Sequence, residues 1–172
     1  SYVLKYLSEY FKITLLYFNP NISPKEEYEK RVAEQKRLIE EMEFKYPVTM
    51  LEGRYEPSEF YEAVKGLENV PEGGERCFIC YEMRMREAAE YARRTGADYF
   101  TTTLSISPLK NADKINEIGK KLEAEYGVRH LPSDFKKKEG YKQSIELSKE
   151  YNLYRQNFCG CVFSKNGDKE NV

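Results

Sequence analysis

Apolar residues recur along the chain with two alternating periods, one typical of helices and one typical of buried strands. Helical spacing is seen for Val3, Leu4, Leu7, Tyr10 and Phe11, and residues 13–18 follow as an almost continuous run of β-forming residues. Runs without alternation are typical of parallel strands that are covered on both faces. Further helices are predicted at residues 24–44, 57–64, 81–96, 111–126 and 141–151, and further strands at 47–51, 98–104 and 128–131.

This alternation of strands and helices predicts an α/β fold with a mainly parallel sheet. Right-handed crossovers place every strand-to-helix loop at one edge of such a sheet, where ligands bind. Two polar loops would share that edge, one after the first strand and one after the third. Their candidate substrate-binding side chains are Asn19, Asn21, Thr101, Thr103, Ser105 and Ser107. A threonine run of high β-propensity explains part of the second loop without any function.

Size and charge narrow the class of protein. A chain of 172 residues can bury one complete hydrophobic core, so we expect a single domain. The formal net charge is only -1, so nucleic-acid binding would need local clusters of basic residues. No apolar run approaches the roughly 20 residues that span a bilayer, and residues 1–4 lack the pattern of a secretory signal. We expect a cytoplasmic protein with no membrane partner.

All four cysteines lie in two tight pairs, Cys77-x-x-Cys80 and Cys159-x-Cys161. Paired thiols in a reducing compartment are more typical of metal ligands than of disulfides. Four thiolates suit a tetrahedral zinc ion or an iron–sulfur cluster. The spacing leaves three interpretations open: a structural zinc that tethers the C-terminal tail, a redox-active metal centre, and buried inert thiols.

Basic and aromatic side chains precede the second cysteine pair. Phosphate contacts and base stacking are what RNA binding requires, and Lys137, Lys138, Tyr154 and Arg155 are the candidates for them. The alternative is that the lysine run is ordinary solvated surface. His130 is the only histidine, and its position predicts an edge-strand residue.

Five separated motifs resemble, in the same order, those of the QueH family of epoxyqueuosine reductases. They are residues 19–22, 77–81, 101–108, 134–137 and 153–161. The resemblance implies a Rossmann-like sheet of the adenine-nucleotide-hydrolase-like (HUP) type. It also implies an iron–sulfur enzyme that removes the epoxide oxygen of epoxyqueuosine in tRNA anticodons, with electrons from a donor that the sequence does not identify.

The resemblance further implies the metal ligands. Family members carry a [4Fe-4S] cluster and a second iron ion nearby, held by cysteines and an aspartate. Cys77, Cys80, Cys159 and Cys161 match two of the family's cysteine motifs, and Asp134 is the candidate for the catalytic carboxylate ligand. The alternative for Asp134 is an aspartate that caps a turn.

One part of the family pattern is absent. The family has a strand and an adjacent-cysteine motif before the opening helix, and we expect both to precede Ser1, with that strand central in the sheet. Residues 1–172 would form one α/β metalloenzyme domain, with 153–172 as a cysteine-bearing tail. The competing hypotheses are a non-catalytic, zinc-stabilised RNA-binding domain and an ATP-using tRNA-modifying enzyme of the same fold.

Overall fold

A computed structural model describes residues 1–137 and 139–167, so Lys138 and residues 168–172 of the predicted tail lie outside the described residues. The predicted helices and strands occur in the predicted order, and the structure adds a 3₁₀-helix after the third strand and a short helix after the second cysteine pair, neither of which the hydrophobic pattern predicts. None of the described helices combines the length and the apolarity needed to cross a membrane. The helices are α1 (Tyr2–Leu7), α2 (Lys25–Glu41), α3 (Pro57–Ala63), α4 (Glu75–Thr95), α5 (Ala112–Tyr126), α6 (Gly140–Glu150) and α7 (Val162–Gly167), and the strands are β1 (Ile13–Tyr17), β2 (Val48–Glu52), β3 (Tyr99–Phe100) and β4 (Arg129–His130).

The described strands pair in two separate parallel ladders. β1 and β2 pair along their whole length, from Ile13 opposite Val48 to Tyr17 opposite Glu52. β3 and β4 share only two positions. The predicted α/β class with parallel strands is therefore confirmed, whereas the described residues form two small sheets and not one continuous sheet.

The third strand is shorter than the predicted range 98–104, and the cause is local. After Phe100 the chain turns into a 3₁₀-helix at Leu104–Ile106. The Thr102 hydroxyl accepts a hydrogen bond from the backbone N–H of Leu104 at 3.2 Å. Such side-chain-to-backbone bonds offer the backbone an alternative to a ladder, and here they outweigh the β-propensity of the threonine run.

The longest helix, α4, begins earlier than predicted. Its first residue is Glu75, after a cap at Gly74, so Cys77 and Cys80 lie inside the helix and not in a loop before it. Since three residues nearly complete one turn of an α-helix, the two thiols are neighbours on one face of α4. The helix ends at Gly96, which has the left-handed conformation (φ +70°) typical of a C-terminal glycine.

α4 and α5 pack together through the main hydrophobic core. Both helices present apolar residues at intervals of three and four, as their amphipathic patterns predict. The buried members of this core are Cys77, Tyr81, Met85, Ala89, Ala92, Phe100, Leu104, Ile115, Ile118, Leu122 and Val128. This packing anchors in the main core the turn of α4 that carries the first cysteine pair, through Cys77.

His130 packs against a glycine of α5. A Cβ atom on Gly119 would lie 2.3 Å from the imidazole ring, so only glycine admits the histidine here. His130 is 6% exposed, and its Nε2 atom has no hydrogen-bond partner among the described residues. Burial lowers the pKa of His130 below its ordinary value of 6.5, although the nearby Glu123 carboxylate opposes the shift. The side chain is therefore a neutral core residue.

This buried histidine makes stability depend on pH. Because the pKa of His130 is lower in the folded state, the unfolded chain binds more protons below pH 6.5. The free energy of unfolding should be highest above pH 6.5 and should fall as the pH drops below it, by at most about 1.4 kcal/mol per pH unit. Urea unfolding between pH 6.5 and about pH 5 measures this slope. His130→Gln should reduce the dependence of the free energy of unfolding on pH in this range. An unchanged dependence in this variant would show that carboxylates cause it.

Candidate metal centre

The structure brings the two cysteine pairs together. Cys80, Cys159 and Cys161 all contact one apolar cluster that also contains Phe60. Cys77 lies one turn before Cys80 on α4, in the adjoining main core. All four are free thiols. Residues that are far apart in sequence therefore place four thiols in one region.

Burial is the main influence on the pKa of two of these thiols, Cys80 and Cys161. It raises the pKa of Cys80 to about 11, and the nearby positive charges of Arg84 and Lys110 oppose the shift. Burial also raises the pKa of Cys161. The backbone N–H groups of Phe163 and Ser164 and the charge of Arg76 oppose this increase. Cations and N–H donors around a buried thiol favour the thiolate, the form that binds metals. Metal binding here would release protons.

The N-terminal end of α4 is fixed by hydrogen bonds to the preceding loop. The backbone N–H of Gly73 donates to Cys77 Sγ at 3.2 Å. Arg76 is 2% exposed, and its guanidinium donates to the carbonyl oxygens of Leu67 (3.2 Å), Glu68 (3.1 Å) and Val70. A buried guanidinium thus joins the loop to the helix turn that carries both cysteines.

The second pair is held by one face of α2, which we call the tail clasp and which consists of Glu27, Arg31, Glu34 and Arg37. Arg31 lies at its centre. Its Nε donates to Glu27 Oε1 at 2.7 Å, and its two terminal nitrogens donate to the carbonyl oxygens of Phe158 (3.0 Å) and Cys159 (3.2 Å). The Arg31 side chain is 4% exposed, so this ion pair is shielded from water.

The tail clasp also binds the segment before the cysteines. Arg37 donates to the carbonyl oxygens of Tyr151 (3.1 Å) and Asn152 (3.2 Å). Tyr154 donates its backbone N–H to Glu34 (2.7 Å) and its hydroxyl to Glu27 (3.2 Å), and the Lys30 ammonium lies 3.5 Å from its ring centroid. Tyr154, a predicted substrate-binding residue, is therefore engaged within the chain, whereas Arg155 is exposed.

The loop after β1 meets the second pair at Gly160. The Ser23 backbone N–H donates to the Gly160 carbonyl oxygen at 3.0 Å. Gly160 has φ +101°, and a Cβ atom there would lie 2.8 Å from the Ile22 side chain, so glycine is required for both reasons. Asn19 and Asn21 are 8% and 4% exposed, and Asn21 Oδ1 has no hydrogen-bond partner among the described residues. The predicted Asn19 and Asn21 site thus lies beside Cys159 and Cys161.

The hydroxyls of the loop after β3 bind mainly to the protein itself. Thr101 donates to the Leu131 carbonyl oxygen at 2.9 Å, and Ser107 accepts from a backbone N–H two residues later at 3.3 Å. Ser105 is fully buried and accepts from the Phe135 backbone N–H at 3.2 Å. Thr103 is exposed. The loop approaches the first cysteine pair through Leu104, which shares a core with Cys77.

Asp134 lies in an ion-pair group next to this loop. Its carboxylate oxygens are 3.5 Å from Lys136 Nζ and 3.6 Å from Lys137 Nζ. Lys136 also donates to the Lys110 carbonyl oxygen at 3.2 Å. No hydrogen bond or ion pair within residues 1–137 and 139–167 joins Asp134 to a cysteine, and Lys138, the other predicted contact of this loop, lies outside the described residues.

The donor set fits a soft metal by its chemistry, although it is not arranged as a finished coordination shell. Within the described ranges, no three side chains of Cys, His, Asp or Glu are placed so that they could hold an ion as they stand. Four thiols in one region, with cations beside them, are nevertheless the groups that thiolate-ligated zinc and iron–sulfur centres use.

Three residues beside the thiols were not predicted from the sequence. Tyr81 is 1% exposed, its hydroxyl has no partner among the described residues, and burial, with a further contribution from the nearby Cys77 and Cys80, raises its pKa. Lys110 lies 3.2 Å from Glu72 and over the Tyr81 ring. Arg84 follows on α4. The helical spacing of Cys77, Cys80, Tyr81 and Arg84 was the only sequence signal.

The chain matches the family model "Epoxyqueuosine reductase QueH" over residues 1–167. Three curated proteins named epoxyqueuosine reductase QueH illustrate the similarity. The Streptococcus pyogenes protein is 42% identical over 166 residues, covering 95% of this chain and 65% of the relative. The Staphylococcus epidermidis protein is 44% identical over 168 residues (95% and 71%), and the Thermotoga maritima protein is 39% identical over 151 residues (86% and 77%).

This chain thus spans 65% of the length of the Streptococcus relative and 71% of the Staphylococcus relative. The family-model match spans all five motifs and both cysteine pairs, since it runs from residue 1 to residue 167. A reductase name places these relatives among the oxidoreductases. The chain belongs to the QueH family of epoxyqueuosine reductases.

Proposed function

We propose that this protein reduces epoxyqueuosine to queuosine in the anticodon of tRNA, in the cytoplasm. The observation that carries the proposal is the convergence of both family cysteine pairs, on α4 and after the tail clasp, in a chain that matches the family throughout. An electron donor is required as a second partner.

The four cysteines would hold an iron–sulfur centre, with Cys80 and Cys159 at the junction of the two pairs. Asp134 would supply the carboxylate ligand of a second iron ion. Its Oδ1 atom would be free to bind the ion, because it has no hydrogen-bond partner among the described residues. Such a centre, when bound, supplies electrons singly at low potential and supplies Lewis acidity.

The reaction converts an epoxide to an alkene and releases the oxygen as water, which consumes two electrons and two protons. The Tyr81 hydroxyl keeps its proton because burial raises its pKa, and it would be a proton source beside the thiols. Asn19 and Asn21 would contact the substrate next to Gly160, and Thr103, Lys137 and Arg155 would contact RNA from the exposed side.

We further propose that the two parallel strand pairs belong to one domain of the HUP type. α1, β1 and the loops around β4 already share a small core that contains Val3, Leu7, Ile13, Leu131 and Phe135. This core connects the two sheets, as a single Rossmann-like layer requires.

Anaerobic purification followed by a turnover assay tests the proposed function. The expected protein is brown, contains iron and acid-labile sulfide, absorbs broadly in the visible range and is bleached by air. With a chemical reductant and no ATP, it should convert epoxyqueuosine in tRNA to queuosine. A colourless, air-stable zinc protein that binds RNA without turnover would instead establish the non-catalytic alternative, and a requirement for ATP would establish the ATP-using one.

A further inference from the structure

One guanidinium near the thiols, that of Arg84, has no hydrogen-bond or ion-pair partner among the described residues. Five of the chain's ten arginines are buried or half-buried, namely Arg31, Arg37, Arg76, Arg84 and Arg86. Four of these five donate to carboxylates or to backbone carbonyl oxygens. Within residues 1–137 and 139–167, Arg84 makes no hydrogen bond and no ion pair. A guanidinium has five N–H donors, so leaving all of them without a protein acceptor in a half-buried position is costly.

Arg84 lies on the face of α4 that carries the first cysteine pair. It follows Cys80 by four residues and Cys77 by seven, a spacing that aligns the three side chains along the helix. Its charge opposes the effect of burial on the pKa of both Cys80 and Tyr17, so it is close to both groups. Because Tyr17 ends β1, Arg84 is near both the thiols and the carboxyl end of that strand.

The acidic residues around Arg84 are already paired with other cations. Glu87, one turn further along α4, pairs with Arg54, whose guanidinium stacks 4.8 Å over the Phe18 ring. Glu82 accepts from Arg86 (2.8 Å) and from Lys121 (2.7 Å). The charge of Arg84 is therefore left uncompensated in the direction of the thiols.

We propose that Arg84 binds a backbone phosphate of the RNA substrate directly beside the thiol centre, and so places the reacting nucleoside. The inference rests on the proposed function, since it assumes that RNA is the substrate. The planar guanidinium fork binds phosphate oxygens in pairs, and a half-buried position strengthens such bonds. The exposed lysine Lys137 is less suited to this role, because its side chain is 76% exposed and lies beside Asp134.

The test is a binding titration that requires no turnover. The affinity of the full chain for a synthetic RNA hairpin with the sequence of an anticodon arm is measured by fluorescence anisotropy at several salt concentrations. Arg84→Gln should weaken binding about tenfold or more. It should also reduce the slope of log Kd against log salt by about 0.7 to 1, the effect of one lost phosphate contact. Arg84→Lys should keep most of the slope and only part of the affinity.

Arg93→Gln is the matched control. It removes the same charge from an exposed position on α4, about 13 Å further along the helix axis. This control should bind as the wild type does. Equal losses in Arg84→Gln and Arg93→Gln would overturn the inference, and so would unchanged binding in Arg84→Gln.

The remaining outcomes separate this inference from the proposed function. If the wild-type chain does not bind the hairpin at all, both are overturned. If it binds and Arg84→Gln alone has no effect, only the role of Arg84 is overturned. Urea unfolding should give equal stability for Arg84→Gln and the wild type, because Arg84 has no partner in the described chain. If Arg84→Gln does not fold, Arg84→Lys provides the test. A reduction of its slope of log Kd against log salt by about 0.7 to 1, as for a lost phosphate contact, would overturn the role of Arg84.

Discussion

Cys80→Ala is expected to remove most of the protein-bound iron and to lower the rate of queuosine formation by more than about 100-fold. Cys80 is the thiol that lies close to both Cys77 and Cys159, so it belongs to the junction of the two pairs. Removal of a group that hydrogen-bonds to a metal ligand typically lowers metal affinity or activity by about 10- to 100-fold. Removal of the ligand itself should have a larger effect. Iron content after anaerobic purification and turnover with a chemical reductant measure the two effects.

Met83→Leu is the control for packing. Met83 contacts the same apolar cluster as Cys80, and exchange of methionine for leucine keeps the side-chain volume, usually at a cost below about 1.5 kcal/mol. This variant should therefore keep its iron and its activity. Full iron content and full turnover in Cys80→Ala would exclude Cys80 as a ligand. Loss of iron in both variants would trace the effect to the apolar cluster.

Arg31→Met should lower the free energy of unfolding of the metal-free protein by about 3 to 5 kcal/mol, the usual cost of breaking a buried ion pair. Its guanidinium is the shared partner of Glu27 and of the Phe158 and Cys159 carbonyl oxygens, and the substitution leaves all of these acceptors without it. Urea denaturation followed by circular dichroism measures the change. Limited proteolysis should show earlier cleavage near residue 155, because the segment loses its main attachment to α2.

Lys25→Met is the control for Arg31→Met. Lys25 also pairs with a glutamate four residues away on α2, but the two side chains are 70% and 60% exposed, so the loss should stay below about 1 kcal/mol. A loss below about 1 kcal/mol in Arg31→Met as well would show that the tail clasp does not hold the segment in solution.

The sequence predicted the helices closely because their signals are local. Amphipathic spacing located α2, α3, α5 and α6 to within a few residues, and both cysteine pairs stood out without any structure. The shortening of the third strand was missed because it depends on a side-chain hydrogen bond of Thr102 that no propensity expresses. The first cysteine pair lies inside α4 and not before it as predicted, because the helix begins directly after Gly74 with no side-chain cap that a sequence pattern could reveal.

The surroundings of the candidate site could not be predicted because they depend on contacts between distant parts of the chain. Tyr154 carries the signature of a stacking residue in the sequence, yet Glu27 and Lys30 engage it in the structure. In the sequence, Arg84 resembles any other arginine on a charged helix. Only the structure shows that its acidic neighbours Glu82 and Glu87 are paired with other cations. The role proposed for Arg84 therefore emerges only by elimination, after the fold is known.

The tail clasp recognises main-chain atoms more than side chains. Arg31 and Arg37 donate to four carbonyl oxygens, those of Tyr151, Asn152, Phe158 and Cys159. Such contacts depend on the number of residues in the segment and not on their side chains, because every residue has a backbone carbonyl oxygen. Apart from Tyr154, whose side chain contacts Glu27 and Lys30, and Arg155, the proposed RNA contact, the segment between Asn152 and Phe158 should therefore tolerate side-chain exchanges. Deletion of a single residue there would instead shift the register and displace both cysteines that follow.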